Sequence, residues 1–267
     1  MIVNEAAWPL SVKTFTEAYR TLGVEQGMTL IVHSSLKALN RWIIGGPTAV
    51  VLALEEAAGE EGTLVMPAHS GDLSDPSKWG NPPVPETWWQ AIRDEMPPFQ
   101  RDLTPTLGMG AVVECFRKQE GTLRSNHPQV SFCARGPKAG WLVENHELAY
   151  GLGEGSPLAK LYEDNAMVLL LGVGYDNNTS IHLAEYRANY ASKATVINGA
   201  PILKDGRRVW CTFEDIDISS DDFIKLGEEF EQITGHVKKV QVGDAAARLM
   251  PVRPLVDFAV AWLEKHR

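Results

Sequence analysis

The chain has 267 residues, 44% of them hydrophobic, which suits one large domain, or a domain with a modest appendage, around a sizeable core. Asp and Glu number 34 against 25 Lys and Arg, for a formal net charge of −9. That balance argues against a general nucleic-acid binder, which needs a basic face, and is compatible with a cationic substrate as well as with plain solubility.

The first elements alternate strand and helix. Lys13 to Leu22 is amphipathic and stops at Gly23. Met28 to Val32 reads as a short strand, followed by His33-Ser34-Ser35-Leu36-Lys37. Gly45-Gly46-Pro47 opens a helix through about Ala58, with proline in the first turn. Thr63 to Met66 is the next strand, and Pro67 to Pro85 a long polar loop of the kind that carries function or moves. Glu86 to Glu95 reads as helical and ends before Pro97-Pro98. Thr104-Pro-Thr106 is expected to start a helix through about Lys118. Val130 to Ala134 reads as a strand, Lys138 to Asn145 as a helix, and Ser156-Pro-Leu158 as a short helix start.

The apolar run Ala166 to Gly174 is expected to be a fully buried strand. The Asn/Thr/Ser cluster behind it caps a helix carrying His182 and Glu185. Ala194 to Ile197 and Arg207 to Phe213 read as strands around an Asp205-Gly206 hairpin turn. Asp221 to Thr234 and Pro254 to Lys265 read as helices. The fold class is therefore α/β. It has a mixed, largely parallel sheet with helices on both faces and an antiparallel C-terminal addition from about residue 192, all within a single 1–267 domain.

Cys115, Cys133 and Cys211 are odd in number and far apart, which argues against a disulfide framework or a zinc site. Residues 1 to 7 lack the basic and apolar regions of a signal peptide, and no apolar stretch reaches spanning length. The expectation is a cytoplasmic protein with no membrane partner.

His182 and Glu185 are the leading candidates for chemistry. A neutral imidazole at the carboxyl end of a buried strand can take a proton from an attacking amine or hydroxyl. A nearby carboxylate can fix its tautomer, although another carboxylate than Glu185 could serve. The same spacing suits an amphipathic helix with a half-buried histidine. His33-Ser34-Ser35 and Lys37 offer hydroxyls, N–H groups and a cation for phosphate, but match neither a Walker loop nor G-x-G-x-x-G. Thr104-Pro-Thr-Leu-Gly-Met-Gly110 permits close backbone approach to an anion, or ordinary helix initiation. His69, Asp72 and Asp75 in the long loop suit a metal or an ammonium group, or only solvent. Trp42, Trp79, Trp88 and Trp89 are expected to pack in the core or line a cleft.

Six segments, in order, carry a resemblance to the aminoglycoside 3-N-acetyltransferase family. They are Ile31-Val-His-Ser-Ser-Leu36, Gly62-Thr-Leu-Val-Met-Pro67, Thr104-Pro-Thr106 with Met109-Gly110, Arg124-Ser-Asn-His-Pro128, Gly155-Ser-Pro-Leu158 and Asn178-Thr-Ser-Ile-His-Leu-Ala-Glu185. The resemblance runs from about residue 8 to the C-terminus. It implies the family's own three-layer α/β/α sandwich, not the GNAT fold. It also implies acetyl transfer from acetyl-coenzyme A to the 3-amine of a 2-deoxystreptamine ring. By position His182 resembles the catalytic histidine and Glu185 the motif carboxylate; on the hypothesis of direct attack by the amine, donors near Thr179 or Ser35 steady the oxyanion. Ser34, Ser35, Lys37, Thr104, Thr106, Met109 and Gly110 match segments that line the coenzyme A site, and Ser125 and His127 fall in another matching segment. Asp72, Asp75 and Glu86, with His69, are the expected grip on a cationic amine substrate, and no metal is expected. Two other readings stand beside this one: a metal-dependent hydrolase using His33, His69 and His182, and a protein that binds without catalysis. A homodimer is possible.

Overall fold

A computed structural model describes residues 8–267; the seven residues read above for targeting features lie outside them. The first half of the chain forms α1 (Val12–Leu22), β1 (Thr29–Ser34), α2 (Pro47–Ala58), β2 (Thr63–Pro67), α3 (Trp89–Glu95), α4 (Gly110–Arg117), β3 (Leu123–Arg124) and β4 (Phe132–Arg135). The second half forms α5 (Ala139–Val143), α6 (Pro157–Glu163), β5 (Met167–Leu171), α7 (His182–Arg187), β6 (Thr195–Lys204), β7 (Arg207–Ile216), α8 (Phe223–Thr234), β8 (Lys238–Val242), β9 (Ala245–Pro251) and α9 (Val252–His266).

Seven strands make one mixed sheet in the order β3-β4-β2-β1-β5-β9-β8, and β6 with β7 makes a separate hairpin. Parallel pairing is confined to the centre, β2 with β1 and β1 with β5. The four outer pairings are antiparallel, so β4 and β9 run against the other five strands.

Period-2 alternation sends side chains of each central strand into two different cores. Leu30, Val32, Leu64, Met66, Leu169 and Leu171 meet α1, α2 and α4 on one face. Ile31, Val65, Val168 and Leu170 meet α5 to α9 on the other. Burial on both faces makes these strands read as continuous apolar runs, and the result is an α/β/α sandwich. Each fully buried large side chain, Phe116 or Phe230 for example, contributes about 1.5–3 kcal/mol. Among the described residues no helix is long and apolar enough to cross a membrane.

Local signals explain most element ends. Ser11 and Thr14 form a reciprocal capping box on α1, and Gly23 ends it at φ +103°. The helix expected from Thr104 begins only at Gly110. Thr106 donates both its N–H and its hydroxyl to Glu114 of α4, and the carbonyl of Thr104 accepts from the buried Arg124 guanidinium. These bonds hold residues 101–109 as turns laid over the sheet edge. The loop Pro67 to Pro85 is tied down as well: Leu73 and Pro76 are buried, and Lys78 donates to the carbonyl of Ile197 on β6. Strands β8 and β9 were not expected, and β6 runs seven residues further than expected, to Lys204.

Candidate active site

Because β1, β2 and β5 run parallel, their carboxyl ends open on one edge, where ligand sites of such sheets form. β1 ends in His33-Ser34, β2 leads to His69, and β5 leads through a turn at Tyr175–Asn177 to α7. Asn178 caps the turn Thr179–Ile181 by accepting from the Ser180 N–H, so the chain enters α7 with His182 at its first position. A cleft of about 90 Å³ at these ends is lined by His33, Ser34, Gly108, Met109, Asn177 and Thr179 among others. Gly108 and Gly110, at φ +73° and +84°, turn the chain so that Met109 enters the cleft wall.

The His182 Nδ1 and the Glu185 Oε2 are 2.5 Å apart, so the i,i+3 pair is in direct contact. Glu185 is fully buried, and its Oε1 accepts from the Ser219 N–H at 3.0 Å and from Arg267 Nη1 at 2.5 Å. A buried carboxylate held this way accepts the Nδ1 proton of a neutral imidazole, which leaves the Nε2 lone pair free. The Phe223 ring lies 4.9 Å from the imidazole, centroid to centroid. His33 and His69 stand close enough to disfavour a second positive charge beside His182. Burial, and then the His182 charge, push both down to about 3, so they are neutral at physiological pH. Their Nε2 atoms are buried without a hydrogen-bond partner among the described residues.

The other sequence candidates separate into two groups. Ser34, Met109 and Thr179 line the cleft. Ser35 gives its N–H to the carbonyl of Leu171, which leaves its hydroxyl free of that duty. Lys37 lines a larger groove of about 540 Å³ together with Leu36, Arg41, Trp42, Ile44 and Gly46. Trp42 is thus a cleft-wall tryptophan, 61% exposed. Gly110 opens α4 beside the cleft, while Thr104 and Thr106 spend their hydroxyls on the Gln100 N–H and on Glu114.

Ser125 and His127 lie in the second group. Both are buried and fully engaged: the Ser125 Oγ pairs with His146 Nδ1 at 2.9 Å and accepts from the Phe132 N–H, and His127 Nδ1 accepts from the N–H groups of Gln129 and Val130. Neither is among the residues lining the strand-end cleft, while their neighbours Asn126, Pro128 and His146 line a separate cavity of about 500 Å³. Arg124 of the same segment is buried without a carboxylate partner and donates to the carbonyls of Ala68, Arg101 and Thr104, fastening the loops to the sheet.

In the long loop, Asp75 is occupied. Arg93 grips both its oxygens, at 2.7 and 3.0 Å, and these bonds hold its carboxyl down at about 2. Asp72 and Glu86 are exposed. No three His, Cys, Asp or Glu side chains among the described residues are grouped to hold a metal ion, so His33, His69 and His182 do not form the ligand set of a hydrolase. Sequence reasoning missed Arg267, Asp222 and Ser219 behind Glu185. Their separations, 34 residues for Ser219 and 82 for Arg267, leave no local signal.

A family model described as aminoglycoside 3-N-acetyltransferase matches residues 31–264. The chain belongs to that family. It is an acyltransferase by that membership. It is 46% identical over 264 residues to the SPbeta prophage-derived aminoglycoside N(3')-acetyltransferase-like protein YokD of Bacillus subtilis (strain 168), covering 98% of this chain and 95% of that protein. It is 37% identical to aminoglycoside N(3)-acetyltransferase III of Pseudomonas aeruginosa, over 94% of this chain and 92% of the relative. Among solved structures, YokD superposes with a TM-score of 0.95 at 43% identity, over 99% and 97% of the two chains. The binary complex of AAC-IIIb with CoASH gives 0.85 at 30% identity over 97% of both chains. Sisomicin-bound AAC-VIa gives 0.87 at 32% identity, over 97% of this chain and all of the other. In this family setting, the layer order is that of the AAC(3) enzymes and not of the GNAT class.

Proposed function

We propose that the protein moves the acetyl group of acetyl-coenzyme A to the 3-amine of a 2-deoxystreptamine aminoglycoside or a related amino sugar, by direct attack with His182 as general base. The observation that carries this reading is the hydrogen bond between His182 and the buried Glu185, placed where the parallel strands end beside a cleft. AAC-IIIb as a complex with CoASH and AAC-VIa with sisomicin support the choice of donor and acceptor.

The cleft and the neighbouring groove fit a coenzyme A chain. The groove is mostly apolar, and Lys37 on its wall supplies a cation for phosphate. When bound, the cosubstrate supplies an activated acetyl thioester. An ammonium is not nucleophilic, because a proton occupies its lone pair. His182 Nε2 takes a proton from the acceptor amine, and Glu185 stabilises the imidazolium that results. The amine nitrogen bonds to the acetyl carbonyl carbon, the C–S bond breaks with its electron pair leaving on the sulfur, and the nitrogen's second surplus proton passes to that thiolate, giving a neutral amide and the free thiol. In this reading Thr179, which lines the cleft, and the Ser35 hydroxyl donate toward the carbonyl oxygen as negative charge builds there.

An acyl-cysteine step is disfavoured. Cys133 is buried in the sheet and its thiol is pushed up to about 12, and neither Cys115 nor Cys211 lines the cleft. Thiol release from acetyl-coenzyme A, with a panel of aminoglycosides as acceptors, tests the reading. Release requires acceptor and disappears in His182→Ala while coenzyme A still binds by calorimetry. Undiminished release by that variant, or an acetylated cysteine trapped in quenched reactions, overturns it.

A further inference from the structure

We infer that Arg267 and Asp222 are positioning residues that set the orientation and basicity of His182 through Glu185. This rests on His182 being the base. The four groups form one continuous line of alternating charge once the imidazole takes its proton. Glu185 Oε2 meets His182, and Glu185 Oε1 meets Arg267 Nη1 at 2.5 Å. The guanidinium then grips both oxygens of Asp222 from Nε and Nη2, at 2.7 and 2.5 Å. Arg267 also donates to the Ser219 carbonyl at 2.7 Å. Thus the guanidinium fork is committed on three sides, and its Cζ lies 5.5 Å from the Tyr190 ring centroid and 5.9 Å from that of Phe223.

The geometry explains why one carboxylate can serve two cations. Glu185 is 0% exposed, and the Arg267 side chain is 12% exposed. A buried carboxylate beside one imidazole alone is free to turn or to take the proton itself. With Oε1 held by the guanidinium and by the Ser219 N–H, only Oε2 remains for His182. Asp222 balances the guanidinium, which would otherwise oppose the charge on His182. Phe223, next to Asp222, packs on the imidazole, so α8 delivers both the counter-charge and the ring wall.

Other groups face this line. Tyr186, Tyr190 and Lys193 face Glu185 from α7 and the turn behind it. Asp215 on β7 faces His182, but its carboxylate accepts from the Tyr186 hydroxyl at 2.6 Å and from the Ile216 N–H. His33 and His69 face His182 as neutral rings. Arg267 and Asp222 are the two charges of the set that join Glu185 in one hydrogen-bonded line.

The test is the pH profile of kcat/KM for thiol release, read with the nitrogen NMR signals of the His182 ring in the free protein. Removing the cation in Arg267→Met raises the acid limb by about one pH unit and lowers kcat about 10- to 100-fold. Arg267→Lys restores the limb, because the charge returns, but not all of kcat, because the fork does not. Asp222→Asn moves the limb the other way, to lower pH. The NMR signals report one Nδ1–H tautomer in the wild type and a mixture in Arg267→Met. A structural role alone would lower the melting temperature and leave limb and tautomer in place. Folded Arg267→Met with wild-type limb, kcat and tautomer overturns the inference while His182→Ala is still dead. An active His182→Ala instead overturns the base assignment beneath it.

Discussion

Glu185→Gln is the substitution whose consequences the structure specifies most fully. The carboxylate accepts from His182, Arg267 and Ser219, at 2.5, 2.5 and 3.0 Å, with no access to water. An amide of the same shape has one acceptor and two donated protons. If its oxygen turns to His182, its NH2 faces the Arg267 guanidinium. If its oxygen turns to Arg267, its NH2 faces Nδ1, which must then give up its proton, and the ring is protonated on Nε2 instead. The second arrangement is the lesser clash, and it removes the base. Breaking a buried ion pair by removing one partner costs about 3–5 kcal/mol. Asp222 still neutralises the guanidinium, so the loss belongs at the lower end, about 3 kcal/mol. At roughly 2–4 °C per kcal/mol for a chain of this size, the melting temperature falls by about 6–12 °C. The wrong tautomer lowers kcat about 1,000- to 10,000-fold. Thermal melts and steady-state thiol release read both quantities. A variant that melts like the wild type and turns over within about tenfold of it refutes the reasoning.

Burial holds four histidines neutral, His33, His69 and His127 down at about 3 and His146 at about 4. Below the ordinary value of 6.5 the unfolded chain takes up these protons and the folded chain does not. Stability is therefore full above pH 6.5 and falls as the pH drops toward 4 and 3, by about 2 kcal/mol at pH 5 for a group as buried as His127. Urea denaturation at pH 7 and pH 5 measures this, and equal midpoints contradict it. Ser125→Ala strands the His146 ring and the Phe132 N–H, so it destabilises by about 1–3 kcal/mol and leaves the KM for acetyl-coenzyme A unchanged. A raised KM with an unchanged melt would return Ser125 to the binding site. Gly227 of α8 packs against the Tyr175 ring with no room for a Cβ, so Gly227→Ala costs about 1–3 kcal/mol in thermal melts. An unshifted melt would mean that the turn behind β5 yields freely.

Much of the fold was legible where local rules and burial agree. The run Met167–Leu171 is apolar on both faces because both cores claim it, and Asn178 marks the helix start that places His182. The proposed pair His182 and Glu185 was readable as neighbours from i,i+3 spacing, and their direct contact comes from the folded geometry. Ala245–Pro251 was not legible as a strand. Three alanines and an arginine carry little strand preference, and pairing with β5 and β8 makes the strand. The segment Arg124 to Pro128 stood out in the sequence only through the family resemblance. Its polarity serves buried carbonyls and ring nitrogens, a demand that arises only after the loops have folded over the sheet. The groups behind Glu185 were invisible for the same reason, since tertiary packing alone brings α8 and α9 to α7.

Chemical rescue of His182→Gly by added imidazoles tests the general base most directly. With acetyl-coenzyme A and aminoglycoside both bound, imidazole restores turnover, and the restored rate rises with the pKa of the substituted imidazole supplied. A variant that binds both substrates yet gains nothing from any imidazole, or gains equally from all of them, contradicts proton removal at position 182.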